Sequence, residues 1–558
     1  MAECLETKKS NCKNCYKCIR HCPVKSLKFT AGQAHIIRDE CVLCGECYVV
    51  CPQNAKQIRN DVDQVKSLIA AGDGVYVSLA PSYAAWFQSC TAKDVENALS
   101  KLGFRGVFET AIGAQIVSKQ YENIINKGEK RIVISSCCHT VNTLIERHFE
   151  KALPYLANVV TPMHAHGKML KKKHPGCKVV FVGPCISKKA EAEKYPGAVD
   201  AVLTFDELDG WLESENISVV PSHSELTKNR TNAYPTSGGI LRSMNLDKKF
   251  DYVVVDGMEA CISALRDIDN DKLSNCFIEM SACSGSCVGG PVMKKKNRNP
   301  IMDLLSVNKG YGEGLYETPA ADSLTTDRAF AFEGSTKPMP GSTAIDEILR
   351  KMGKTSKDKE LNCGSCGYNT CRDKAVAVFM GKADLSMCLP FLKEKAESFS
   401  DTIIHNTPNG IMVLDCDLNV QQINTAARKI LNLSSASDVL GSPVVRILDP
   451  TDYVLALSNE KNVYDKRKYL AEYQKYVEET IVYDKEYRII MVLMKDISAE
   501  EQMKISKDNQ CKAAVEITDR VVEKQMRVVQ EIASLLGETT AETKIALTKL
   551  KETLTDDE

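Results

Sequence analysis

No apolar run in the 558-residue sequence approaches the ~18 residues that a membrane-crossing helix needs. The opening, MAECLETKKSNCKNC, contains no apolar segment able to act as a signal peptide. Surplus charge is absent as well. With 72 basic and 73 acidic residues the net charge is -1, and no broad field draws the chain to nucleic acid or to an anionic membrane. The expectation is a cytoplasmic protein with neither nucleic acid nor membrane among its partners. What the sequence has in excess is cysteine, 24 in all. Reducing cytosolic conditions exclude a disulfide framework in a chain of this size, so the thiols are expected to be metal ligands. Single cores rarely grow past roughly 250 to 300 residues, so several domains are expected.

Cys12, Cys15, Cys18 and Cys22 precede Pro23, and Cys41, Cys44, Cys47 and Cys51 precede Pro52. Both runs read C-x2-C-x2-C-x3-C-P, the pattern of two-cluster bacterial ferredoxins, in which the fourth cysteine of each run reaches the other 4Fe-4S cube. One cube is therefore assigned to Cys12, Cys15, Cys18 and Cys51, the other to Cys41, Cys44, Cys47 and Cys22. A pair of zinc sites is the alternative, although zinc prefers well-separated cysteine pairs. This module is placed at residues 1–62.

From Val75 the pattern changes to short β-branched runs alternating with helical stretches, which predicts a doubly wound parallel α/β sheet. The predicted strands are 75–79, 131–135, 178–182, 251–256 and 276–280. Ligands in such sheets sit beyond the carboxyl ends of strands. Those ends are followed by Ala80-Pro81-Ser82, Ser136-Cys137-Cys138, Gly183-Pro184-Cys185, and Ser281-Ala282-Cys283 with Cys287.

SSCCHTV (135–141), GPCISKKAE (183–191) and EMSACSGSC (279–287) resemble, in order, the three cysteine motifs of the FeFe hydrogenase catalytic domain, over roughly residues 70 to 315. The resemblance implies an H-cluster domain at 63–318. Cys138, Cys185, Cys283 and Cys287 would hold a 4Fe-4S cubane, and Cys287 would bridge to a two-iron subsite with carbonyl, cyanide and azadithiolate ligands. Dihydrogen and protons would be the substrates. Cys137 would relay the proton. Lys188 would direct its ammonium at one cyanide, and Ala80, Pro81 and Ser82 would hold the other. Taken singly, Lys188 could equally be a solvated lysine and Cys137 an inert buried thiol. The latter reading is assigned to Cys4, Cys90, Cys177, Cys261, Cys276, Cys416 and Cys511.

The departures from the family point to its sensory branch. Gly183 and Ser281 stand where high-turnover members have methionines against the two-iron subsite, which should open the pocket and change its polarity. Val141 replaces a tryptophan. The glutamates of the family's proton exit align with Gln120, Tyr121 and Ile124, with Glu122 one position out of register. Slow proton delivery implies slow turnover.

Beyond a polar linker near residues 318–342, Cys363, Cys366, Cys371 and Cys388 resemble the ligand set of a small 4Fe-4S domain (340–395), with a Cys4 zinc site as the alternative. Residues 408–431 and 478–498 resemble the opening and closing strands of a PAS domain (396–498), with Asn424 before its helix. His405 stands alone and no flavin-reactive cysteine motif is present, so a PAS domain without cofactor is expected. Ser498 and Glu501 form a capping-box pattern. Val515, Val522, Val529 and Leu536 recur at heptad steps with Ile532 between them, which favours pairing with a second copy. Gly537 is expected to end that helix, with Thr539 and Glu542 capping a second one that carries Leu547, Leu550 and Leu554. The result would be a helical hairpin or coiled coil (499–558). Without a later histidine it cannot be a kinase itself, so a separate kinase, phosphatase or regulator is the expected partner, with a redox protein as a further candidate.

The combined expectation is a multidomain α/β and α+β protein acting as a slow, sensory FeFe hydrogenase and homodimer. The alternatives are a slow metabolic ferredoxin-linked hydrogenase and a non-catalytic iron–sulfur redox sensor without the two-iron subsite.

Overall fold

The computed structural model describes residues 4–8, 11–222, 226–246, 250–318, 325–334 and 338–555. The chain divides into two compact units, Met1–Leu392 and Lys393–Glu558.

At the start of the first unit, two short antiparallel pairs frame the cysteine runs: Leu5–Thr7 with Lys56–Ile58, and Leu27–Thr30 with Gln33–Ile36. Helices Lys17–His21 and Glu46–Val49 occupy corresponding places in the two halves. The body that follows is parallel, as its β-branched runs predict, but it is split into two sheets where one was expected. Gly106–Glu109, Val75–Leu79, Lys178–Gly183 and Ala201–Thr204 pair in that order. A separate sheet pairs Asp251–Asp256, Cys276–Ser281 and Ile132–Ile134. The strands Gly106–Glu109 and Ala201–Thr204 are 4 residues each, too short for a periodic signal. Two apolar cores meet at the second sheet, which gives Val133 and Phe277 to the first core and its opposite-face residues to the other. Val77, Leu79, Val180 and Val182 lie in the first, and Ile132, Ile134, Ile278 and Met280 in the other.

Of the linker expected near 318–342, residues 319–324 and 335–337 lie outside the described residues. The stretch 325–334 is no free tether. Asp327 bridges to Val159, the Val160 N–H donates to Thr326 O at 2.8 Å, and Arg328 is 7% exposed. Its polar composition reflects pairing with buried groups of the body. Helices Ser342–Lys351 and Cys371–Phe379 then flank the loop of Cys363 and Cys366, with Cys371 opening the second helix behind a capping box from Thr370 and Asp373, and Cys388 following it.

In the second unit a five-stranded antiparallel sheet runs in the order Val420–Ile423, Gly410–Asp415, Ile489–Asp496, Lys475–Asp484, Val463–Leu470. Asn424 caps the helix Thr425–Ile430 by accepting from the Ala427 N–H at 2.8 Å. Two local expectations fail here. Ser498 does not cap: it is the first helical residue, and its hydroxyl accepts from the Tyr476 N–H at 2.9 Å. Glu501 instead pairs with Arg467 at 3.3 Å. The hairpin after Gly537 is also absent, because Ser498–Thr555 is one helix of 58 residues. A single interior glycine costs only about 1 kcal/mol, less than the good helix formers around it recover. Thr539 does not cap but bonds back to Leu535 O at 2.8 Å. The Leu554 side chain lies outside the described residues. None of the described helices is long and apolar enough to cross a membrane.

Candidate active site

Two strands of one sheet and two of the other end around a single cavity. Val75–Leu79 leads to Ala80 and Pro81, Lys178–Gly183 to Pro184 and Cys185, Ile132–Ile134 to Cys137 and Cys138, and Cys276–Ser281 to Ser281 itself; all line the cavity, as do Lys188 and Cys287. Burial, and then Cys185, Cys138 and Cys287, raise Cys283 well above the usual thiol range, and the last three thiols themselves line the cavity.

Lys188, on the helix Ser187–Lys194, is not a surface lysine, since its side chain is 12% exposed. Its ammonium is 2.6 Å from Glu191 Oε2 and donates to Cys137 O at 3.3 Å. Burial works against this charge, but Glu191 and Cys185 hold its pKa above the usual lysine value. Glu191 is held in turn by Arg328 at 2.7 Å, Thr161 at 2.8 Å and His164 at 3.0 Å. Despite complete burial its carboxyl lies well below the usual range, with Lys188 the largest opposing influence. A buried lysine is thus fixed as a cation beside the thiols.

Cys137 Sγ lies 3.0 Å from the Tyr121 hydroxyl and 3.4 Å from that of Tyr234. Burial pushes the thiol up to about 12, against the pull of both phenols, which keeps it protonated at neutral pH. Tyr234 accepts from Ser118 at 3.3 Å, and Ser118 meets Ser243 at 2.7 Å. Sequence reasoning noticed Tyr121 only as a missing glutamate and passed over Tyr234, Ser118, Glu191 and Arg328. Tyr234, Ser118 and Arg328 carry no short-range signal, because their partners are remote in the chain, whereas Glu191 stands three residues after Lys188 on one helix, a spacing that marks a pair.

The donor atoms suit an anionic iron–sulfur group. Ser82 Oγ is fully buried with no hydrogen-bond partner in the protein, a donor aimed at something the chain does not supply. The ferredoxin cysteines group crosswise: Cys18 is influenced by Cys12, Cys15 and Cys51, and Cys47 by Cys44, Cys41 and Cys22. In the third quartet, Cys388, Cys366 and Cys371 all act on Lys374, whose side chain is buried and whose ammonium donates to Leu385 O at 3.0 Å. Cys363 is exposed, 3.1 Å from Ser365 Oγ. Among the described residues no three cysteine, histidine, aspartate or glutamate side chains close on a point that one ion could occupy. Of the cysteines outside these groups, Cys4, Cys90, Cys177, Cys261 and Cys276 are buried, whereas Cys416 is half-buried and Cys511 is exposed on the long helix, contrary to expectation.

Residues 73–246 and 239–291 match the family model of the iron only hydrogenase large subunit, C-terminal domain. Residues 34–57 match a 4Fe-4S binding domain, 360–390 a putative Fe-S cluster domain and 398–525 the PAS fold. An FeFe-hydrogenase-like domain and a PAS domain share this chain. Similar proteins include the NADP-reducing hydrogenase subunit HndD of Solidesulfovibrio fructosivorans, at 23% identity over 45% of this chain and 55% of that one. Iron hydrogenase 1 of Clostridium pasteurianum is 24% identical over 43% of this chain and 53% of that one. The chain thus spans about half the length of these curated relatives. Among solved structures, a variant of the FeFe-hydrogenase HydA1 from Chlamydomonas reinhardtii has a TM-score of 0.37 at 16% identity, covering 50% of this chain and 100% of its own.

Two departures of the FeFe-hydrogenase-like domain from its family take a definite form. A Cβ on Gly183 would stand 2.8 Å from the Phe181 ring and 3.0 Å from Ala80 Cβ. The glycine leaves no hole, because Phe181 occupies the space and itself lines the cavity. Ser281 lines the wall, as do the thioether side chains Met163 and Met280. Glu122 does not face Cys137: it accepts from the Asn245 N–H at 2.7 Å and pairs with Lys119 at 3.0 Å.

Proposed function

We propose that the chain is a sensory FeFe hydrogenase, a cytoplasmic homodimer that activates dihydrogen slowly and passes its redox state through iron–sulfur sites and the PAS domain to a signalling partner. The observation that carries this reading is the single cavity in which Cys138, Cys185, Cys287, Cys137 and Lys188 meet, with the unpartnered Ser82 hydroxyl beside Pro81. When bound there, an H-cluster supplies the open metal position and bridging amine at which dihydrogen is split. Cys138, Cys185, Cys283 and Cys287 hold its cubane. Lys188, kept charged by Glu191, and Ser82 orient its diatomic ligands by donating to them, and Cys137 moves a proton at Sγ. Ala80, Pro81 and Ser281 form the wall, and Gly183 makes room for the Phe181 ring that completes it. The quartets Cys12/Cys15/Cys18/Cys51, Cys22/Cys41/Cys44/Cys47 and Cys363/Cys366/Cys371/Cys388 hold further 4Fe-4S clusters.

The sensory part rests on the Ser281 wall, on Glu122 turned away from Cys137, and on a PAS domain joined to a helix whose apolar seam is bare. Val515, Val522, Val529 and Leu536 are each more than half exposed in the single chain. Infrared spectroscopy of the matured chain tests the site: carbonyl and cyanide stretches are expected, with the cyanide bands shifted in Lys188→Met. Their absence after maturation would leave a redox sensor without the two-iron subsite. Hydrogen turnover is expected far below that of fermentative enzymes, and turnover equal to theirs would reject the sensory role.

A further inference from the structure

The loop that carries Cys363 and Cys366 lies against the helix Lys17–His21 of the ferredoxin module. Arg20 donates from Nε to Gly364 O and from Nη2 to Ser365 O, both at 3.2 Å. The Lys25 ammonium donates to Ile19 O at 3.0 Å, Arg20 O at 2.9 Å and Gly367 O at 3.1 Å, and so ties both modules to one charge. At the edge of the contact the Phe29 N–H donates to Lys382 O at 2.8 Å, and Lys382 pairs with Glu40, the neighbour of Cys41. The loop is also pressed tightly against the helix at Gly367. Its φ is +92°, and a Cβ there would stand 3.0 Å from Ile19 and 3.2 Å from the Arg20 nitrogen. Beneath these polar ties, Cys22, Cys47, Ile19, Cys366, Tyr368 and Met387 share one buried apolar cluster.

The same ferredoxin quartet meets the hydrogenase-like body on another side. Gly45, next to Cys44, is pressed so close to Pro291 and Ile186 that a Cβ would come within 2.6 Å and 2.9 Å of them. Ile186 follows Cys185 directly. The quartet Cys22, Cys41, Cys44 and Cys47 therefore stands between the Cys185 segment and the Cys366 loop.

From this placement we propose that the Cys22/Cys41/Cys44/Cys47 site is a branch point for electrons, with one arm to the hydrogen-activating body and a second, through the Ile19–Gly367 contact, to the Cys363 domain. The inference rests on the reading of both quartets as 4Fe-4S sites. Each transfer moves one electron: the site that gives it is oxidised, the site that takes it is reduced, and no bond or proton changes. Dihydrogen oxidation supplies two such electrons. Lys25 is the positioning residue, since a fixed cation between two anionic sites favours the electron on either. The second arm leads by chain continuity toward the PAS domain, because helix Leu389–Asn406 begins one residue after Cys388.

The experiment is electron paramagnetic resonance of the full-length, cluster-loaded, fully reduced chain. Cys371→Ala is expected to lower the iron content by about four and to remove a spin–spin broadening from the ferredoxin signals. An unchanged iron content would overturn the cluster reading of this quartet and the branch with it. Loss of the iron with unaltered ferredoxin signals would overturn the branch alone. Gly367→Leu should keep the iron yet lose the broadening. If that variant fails to fold, Lys25→Met serves: it is expected to lower the reduction potentials of both sites together, with recovery in Lys25→Arg. A shift in only one potential, or in neither, would reject the shared role of Lys25.

Discussion

Cys137 is a protonated thiol set between two phenols, which gives it somewhere to send a proton. From Tyr234 a chain of hydroxyls runs through Ser118 to Ser243. Cys137→Ala removes the first link, and hydrogen–deuterium exchange between dihydrogen and water is expected to fall by roughly a hundredfold with cluster iron unchanged. An undiminished exchange rate would assign the proton another exit. Glu109 shows a different consequence of burial. Its carboxyl is pushed up to about 7 by burial, although the Tyr316 hydroxyl, donating at 3.1 Å, pulls it down. Between the usual 4.5 and this value the folded chain holds a proton that the unfolded chain has lost. Stability from this group is therefore greatest below that window and declines as pH rises through it. Glu109→Gln keeps an acceptor for Tyr316 and should remove the decline. Anaerobic melts are expected to show the variant gaining in Tm over the parent from pH 5 to pH 8, and a pH-independent difference would contradict the assignment.

At the scale of elements, the helix Ser498–Thr555 and the PAS sheet differ in what holds them. The sheet encloses its own core, with Met412, Leu414, Val477, Ile481, Ile490 and Val492 fully buried. The helix exposes Val515, Val522, Val529, Ile532 and Leu536, so its stability in isolation rests on propensity and its apolar seam asks for a second copy. A chain ending at Ser498 is expected to keep its clusters and hydrogen chemistry, to sediment as a monomer or weak dimer, and to lose any hydrogen-dependent effect on its partner. A truncated chain that still dimerises tightly, or still signals in cells, would move the interface or the output surface onto the PAS domain. The failed hairpin and the failed cap share a cause. Gly537 and Ser498 carry weak local preferences, and these yield to continuous helix propensity in one case and to the neighbouring strand residue Tyr476 in the other.

At the scale of the whole molecule, short-range chemistry was legible and long-range pairing was not. Metal ligation by cysteine demands fixed spacings within a few residues, so the thiol runs could be read directly from the chain, whereas the strand-end motifs and the PAS strands were legible through their resemblance to known families. Composition likewise announced five of the parallel strands, four of them apolar because they are buried on both faces, while Gly106–Glu109 and Ala201–Thr204 were too short to show. The division into two sheets, the Phe181 ring filling the space beside Gly183, and the hold of Arg328 on Glu191 came only with the tertiary structure. So did the seat of the Cys363 domain, where Arg20 reaches Gly364 across 344 residues. The holds of Arg328 and Arg20 depend on which surfaces meet after the chain has closed loops of a hundred residues or more, and a loop's closure leaves no periodic mark in the sequence, whereas the Phe181 ring is near Gly183 in the chain and only its orientation was hidden. Residue types and spacings settled which chemistry the thiols could support and set Glu191 one helix turn from Lys188, while packing decided that this pair is buried beside the thiols and that Cys137 lies between Tyr121 and Tyr234.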